Sequence, residues 1–284
     1  MKDRRDFTFP VASAFVDAKS FLGMSREQDN VYTFTVDERL ITPGKFLFGG
    51  CGLAAGLVAL EDAAGRPTIW ASAHYLSYAP LDATVRVTTQ LAVVGNNVTQ
   101  ARATATVDER EILTINAALG TGHLSASTSP VAMPKVRDPE DSPPLERPFD
   151  VDGSIFQHVD CRIAVPSGGR KGDRDPKNMR SGIWSRIPGH FDPSAATLAI
   201  FGDFVAGGVS QLLGQPTMGR SLDNTIRVAQ LEPTEWVLCE ITMHALVGGF
   251  AQGTGYLWSP SGTLLATASQ SIAAKLWEPW SPGS

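Results

Sequence analysis

The chain has 284 residues, 43% of them hydrophobic and 19% charged, with a formal net charge of −5. It is long enough to bury a substantial core, and its acidic balance excludes a general nucleic-acid binder, which needs a basic surface. No segment holds the ~18–20 continuous apolar residues of a membrane span, so none is expected.

The opening "MKDRRDFTFPVASAF" lacks the apolar region of a secretory signal. Cys51, Cys161 and Cys239 are far apart, odd in number and set among apolar residues. They read as buried thiols of a reducing compartment, which makes a cytoplasmic location the expectation.

"NVYTFTVDERLI" starts the first half as a strand, and "FLFGGCGLAAGLVAL" follows as an apolar helix. Next come "TIWASAHYLSYAPL", "ATVRVTTQLAVVGNN", "TQARATATV" and "REILTINAALG", with the period-two alternation and β-branched residues of strands. Residues 125–149, "SASTSPVAMPKVRDPEDSPPLERPF", are rich in Pro, Ser and charge and read as a linker. "SIFQHVDCRIAVP" then opens a second half, matched to "NVYTFTVDERLI", and residues 167–182 form an irregular basic stretch. In "HFDPSAATL", Asp192 and Pro193 signal a helix start, predicting one helix over about 193–213. The remaining segments repeat the first half: "RSLDNTIRVAQLEP", "EWVLCEITMHALVGG", "AQGTGYLWS" and "GTLLATASQSIAAKLW".

Phe48 matches Phe201, and Val94-Gly95 matches Val247-Gly248, both at an offset of 153. One helix with antiparallel strands, used twice, predicts an α+β fold in which each helix is wrapped by a sheet and the halves pair like subunits. The expected units are residues 1–124 and 150–284, joined by 125–149.

The two copies differ in polarity. "FGDFVAGG" places Asp203 where "FGGCGLAAG" has Gly50. A carboxylate on an apolar helix face costs several kcal/mol unless it is bonded, so it needs a reason. Structural bonding is one such reason, but the small neighbours Ala196, Ala199, Ala206 and Gly207 leave room for a ligand. On the last strand Gln270 is the one polar member of the face Leu264, Ala266, Ala268, Ile272, and the offset maps it to Ala117. "GRSLDNT" adds Ser221, Asp223 and Asn224 at a strand start, a cluster that also suits a turn. A carboxylate, a hydroxyl and a carboxamide in an apolar setting can hold and activate one water molecule. There is no Ser-His-Asp order, metal-ligand spacing or phosphate loop, so no cofactor or metal is expected.

At these residues the chain resembles the acyl-CoA thioesterase II family of double-hotdog enzymes, from about residue 20 to Trp277. "FLFGG", "YLSYAPL", "IWSRIPGHFDPSAATLAIFGDF", "SLDN" and "GFAQGTGYLWSPSGTLLATASQ" carry the likeness. The resemblance implies hydrolysis of an acyl-CoA substrate to free acid and CoA by water, with Asp203, Ser221 and Gln270 as catalytic residues. Ser221 stands where the family has threonine, and Asn224 where it has histidine. By analogy with hotdog folds, backbone N–H groups of Gly50 and Cys51 would bind the thioester oxygen; Asn224 is expected among the substrate-binding residues. Arg170, Lys171, Arg174, Lys177 and Arg180 read as a solvated loop or as a site for CoA phosphates. A homo-oligomer of such protomers fits the resemblance. Two other readings stay open: a non-catalytic acyl-CoA-binding hotdog protein, and a hotdog hydratase or dehydratase, which needs a His–acid pair.

Overall fold

The computed structural model describes residues 17–147, 149–165, 180–189 and 193–276. A short helix α1 (Ala18–Leu22) precedes β1 (Ser25–Gln28), β2 (Val31–Thr35) and the long helix α2 (Gly49–Ala64). β3 (Thr68–Tyr75), β4 (Thr84–Val94), β5 (Val98–Val107) and β6 (Arg110–Gly120) complete the first half. The second half contains β7 (Asp160–Val165), β8 (Arg180–Arg186) and α3 (Ala195–Gly202), a 3-10 segment (Asp203–Gly207), and α4 (Gly208–Leu213). β9 (Thr217–Ser221), β10 (Asp223–Val228), β11 (Val237–Val247), β12 (Phe250–Trp258) and β13 (Leu264–Leu276) follow.

All these strands join one sheet in the order β1-β2-β4-β5-β6-β3-β10-β13-β12-β11-β8-β7, with β9 also on β13. Read from either end towards the middle, the order is the same in both halves: this is a double hotdog. β7 takes the place of β1, and β8 that of β2. The expected match of "SIFQHVDCRIAVP" to "NVYTFTVDERLI" was therefore one strand out.

The central β3–β10 pairing fixes the symmetry. Ser72 lies opposite Thr225, and the Thr225 hydroxyl bonds Ser72 Oγ at 2.8 Å across a separation of 153 residues. A residue meets its own repeat equivalent only where a two-fold axis passes between them. The offset read from the sequence is thus built into the sheet's register.

Ten residues of α2, Gly50 through Leu57 with Ala59 and Leu60 but without Val58, are buried. Such a helix needs cover on every side. Its glycines allow close approach: a Cβ on Gly52 would lie 2.7 Å from Leu113 Cδ2, and one on Gly56 would collide with Ile115 Cδ1. The second helix departs from the expected single run. Ser194, rather than Asp192, caps it by accepting the Thr197 N–H at 3.2 Å, and Asp192 lies outside the described residues. The apolar run Ala195–Leu213 is mostly buried inside the protein, as a core helix is.

The segment expected to be a plain linker is a cover. Trp184 donates its ring N–H to Arg137 O at 2.8 Å, and Trp236 donates to Glu140 at 3.1 Å. Met133 and Val136 pack on a second apolar cluster of Ala164, Trp184, Trp236, Leu238 and Trp258. Ile163 N–H bonds Pro143 O, and Leu145 N–H bonds Cys161 O, each at 2.8 Å. Trp184→Ala should therefore cost about 3–5 kcal/mol in denaturant unfolding and open residues 125–145 to limited proteolysis. Unchanged cleavage with unchanged stability would show that the cover does not depend on this ring.

Candidate active site

Asp203 follows the last turn of α3, where the helix tightens into the 3-10 segment, and is only 4% exposed. Its Oδ2 accepts the Gly50 N–H at 2.8 Å. That N–H is one of the orphan donors of the first turn of α2, where the helix dipole also favours negative charge. Oδ1 faces three donors: Asn224 Nδ2 at 3.3 Å, the Ser221 hydroxyl at 3.5 Å, and Gln270 Nε2 in close contact. Gln270 Nε2 lies 3.4 Å from Ser221 Oγ.

Ser221 and Asn224 are three apart, so a regular strand would send them to opposite faces. A bulge resolves this. Ser221 pairs with Ile272 and Thr225 with Ser269, so a step of four residues on one strand opposes a step of three on the other. Asp223 stabilises the bulge by accepting the Ser271 N–H at 2.8 Å. A carboxylate only accepts hydrogen bonds, so both amides must turn their NH2 groups to Asp203. Their oxygens, Asn224 Oδ1 and Gln270 Oε1, are buried without a partner. Two unmet acceptors beside a carboxylate and a hydroxyl make a site for a polar hydrogen donor such as water.

Burial pushes the Asp203 pKa up to about 6, with the bonds from Gly50, Gln270, Asn224 and Ser221 pulling the other way. The acid is poised near neutral pH, where it can take up and release a proton.

Of the sequence-predicted residues, Asp203, Ser221, Gln270, Asn224 and Gly50 come together. Cys51 is adjacent, and burial and the Asp203 charge push its thiol well above the usual range. The expected oxyanion pocket is corrected. The Gly50 N–H is taken by Asp203, and the Cys51 N–H bonds Phe48 O at 3.0 Å, so neither is free. Arg180 is also removed from the phosphate-binding set, because it pairs with buried Glu240. Arg170, Lys171, Arg174 and Lys177 lie outside the described residues.

His74 stands opposite Asp223 on the neighbouring strand, but it is exposed while neighbouring Ala73 and Asn224 are buried. His74 therefore lies on the face away from Asp203, and the Asp223 carboxylate is taken by the Ser271 N–H. A cavity of about 130 Å³ at the start of α3, lined by Ile187, Pro193, Thr197, Phe201 and Val237, does not reach Asp203 either.

Sequence reasoning missed Tyr75, whose hydroxyl bonds Gly49 O at 2.9 Å beside the carboxylate. A signal was present: Ala71, Ala73 and Tyr75 alternate along the inward face of β3.

Residues 139–274 match the acyl-CoA thioesterase C-terminal domain. A protein named as a thioesterase from Novosphingobium aromaticivorans is 30% identical, superposes with a TM-score of 0.80, and is matched over 90% of this chain and 98% of its own. The acyl-CoA thioesterase II TesB2 of Mycobacterium marinum shares the fold at 17% identity and TM-score 0.71, over 93% and 99% of the two chains. A TesB protein of Mycobacterium avium subspecies paratuberculosis does so at 17% and 0.74, over 91% and 98%. No curated protein matches the sequence.

The raised pKa gives a stability test. Folding lifts Asp203 from 3.8 to about 6, so its penalty is absent below about pH 4, grows between 4 and 6, and is complete above. A shift of this size is worth roughly 3 kcal/mol. Asp203→Asn can keep the Gly50 bond through its oxygen and donate its NH2 to the reoriented amides. The wild type should lose roughly that much stability relative to the variant between pH 4 and pH 7 in denaturant titrations. A constant difference would mean that Asp203 ionises at its ordinary value.

Proposed function

The chain belongs to the acyl-CoA thioesterase II family, and we propose that it hydrolyses an acyl-CoA thioester to free acid and CoA by direct attack of water, without a covalent intermediate. The observation that carries this reading is a buried carboxylate of raised pKa, bonded at both oxygens and flanked by the two unpartnered amide oxygens of Asn224 and Gln270.

Asp203 is the general base. A water placed among Ser221 Oγ, Gln270 Oε1 and Asn224 Oδ1 gives its proton to Asp203 and its oxygen to the thioester carbon. Collapse of the adduct breaks the C–S bond, and the departing thiolate takes the proton back from Asp203. The bonds of Ser221 at 3.4–3.5 Å are long, as catalytic contacts often are before substrate binds. Ser221 itself is no nucleophile, because the partner it faces is the carboxylate and no imidazole activates it. Phe48, Phe156, Phe201 and Phe204, with ring centroids about 6 Å apart, offer an apolar wall for an acyl chain.

In this reading residues 1–124 and 150–284 are two hotdog units, linked by 125–149, of which only the second supplies the acid. Three free, buried cysteines support a reducing, cytoplasmic setting.

The test is release of free thiol from acyl-CoAs of graded chain length. Wild-type turnover should rise with pH through about 6, following Asp203 ionisation. Asp203→Asn should lower it by about 10²–10⁴. Gln270→Ala copies the Ala117 state of the first half and should keep the fold while losing at least about tenfold in rate. Full activity in both variants would sink the mechanism. Tight acyl-CoA binding without any hydrolysis would favour a binding protein instead.

A further inference from the structure

The Gly49–Gly50 peptide links two groups. Its N–H, that of Gly50, donates to Asp203 Oδ2 at 2.8 Å. Its carbonyl, that of Gly49, accepts the Tyr75 hydroxyl at 2.9 Å. The two atoms belong to one rigid plane, so fixing one end fixes the direction of the other. A Cβ placed on Gly49 would sit 2.9 Å from Asp203 Oδ2 and 3.2 Å from the Tyr75 oxygen, so phenol and carboxylate flank the same glycine. The Tyr75 backbone N–H also bonds Leu222 O at 3.0 Å, which ties β3 to the bulge that carries Ser221 and Asn224.

We propose that Tyr75 is a positioning residue for hydrolysis: by holding the Gly49 carbonyl it orients the Gly50 N–H, which keeps Asp203 Oδ2 occupied and turns Oδ1 to the water. This rests on the reading of Asp203 as the base. A donor on an amide oxygen also strengthens that amide's own N–H bond, so the carboxylate is stabilised as well as aimed. The groups that face Asp203 are Gly50 N–H and Cys51 from α2, Tyr75 from β3, Ser221 and Asn224 from the bulged strand, and Gln270 from β13. The charges of Asp37 and Asp223 reach Cys51 and Tyr75 respectively. Burial and the Asp203 charge hold both Cys51 and Tyr75 protonated well above neutral pH, so a titration seen near pH 6 at Gly50 belongs to Asp203.

The test uses Tyr75→Phe in the full chain, labelled with ¹⁵N-glycine. The Gly50 amide is followed against pH, alongside kcat, KM and the thermal midpoint. Without the phenol, the Gly50 titration midpoint should move up by about half a pH unit, and the acid limb of the rate profile should move with it. Turnover should fall about three- to tenfold at unchanged KM. An unmoved midpoint and rate limb would overturn the proposal, even if the variant melts earlier, since a merely structural phenol predicts that pattern. The amide titration needs no catalysis. A moved midpoint in a protein that cleaves no thioester would uphold the positioning of Asp203 and reject its role as base.

Discussion

The contact between Asp203 Oδ2 and the Gly50 N–H is the constraint on which the rest depends. These two positions are repeat equivalents that meet across the pseudo-two-fold axis. Symmetry forbids treating them alike. Two carboxylates there would face each other as buried like charges, which cannot both ionise. Two residues with side chains would not fit, because a Cβ on Gly50 would lie 2.8 Å from Ile200 Cα and 2.9 Å from Asp203 Cβ. One half must therefore be bare so that the other can carry the acid. This answers why a duplicated helix keeps a carboxylate in only one copy.

The asymmetry spreads outward from that contact. Once the second half holds the acid, its β9–β10 bulge, Asn224 and Gln270 all serve to surround it, while the corresponding first-half position Ala117 stays apolar. The arrangement carries a cost to the fold, since a buried carboxylate of raised pKa is destabilising when ionised. On the proposed mechanism that cost has a use, because it gives the site a base that ionises near pH 6. Stability and chemistry pull in opposite directions at this one side chain.

Much of this was legible in the sequence. The 153-residue offset, and the polar intrusions at Asp203 and Gln270, follow from comparing two copies of one pattern. Other features depend on tertiary contacts that no local pattern carries. Ser221 and Asn224 share a face only through a bulge set by β13. At Gly202, where α3 gives way to the 3-10 segment, the chain packs closely on β13: a Cβ there would lie 3.1 Å from Ala268 Cβ. The cover over Trp184 and Trp236 is built from a Pro- and Ser-rich segment whose composition reads as linker. The expected use of the Gly50 and Cys51 amides failed because helix-start donors look free in sequence, whereas here a side chain from the other half already satisfies one of them.

The central claim is that Asp203 moves a proton and never bonds to the acyl group. A single turnover in H₂¹⁸O, with enzyme in excess over acyl-CoA, tests for an anhydride opened at the Asp203 carbon. Water attack predicts one ¹⁸O in the released acid and none in the tryptic peptide that carries Asp203. If the carboxylate instead attacked the thioester and water opened the resulting anhydride at the Asp203 carbon, the label would appear in that peptide and the acid would leave with unlabelled oxygen, which would contradict the account.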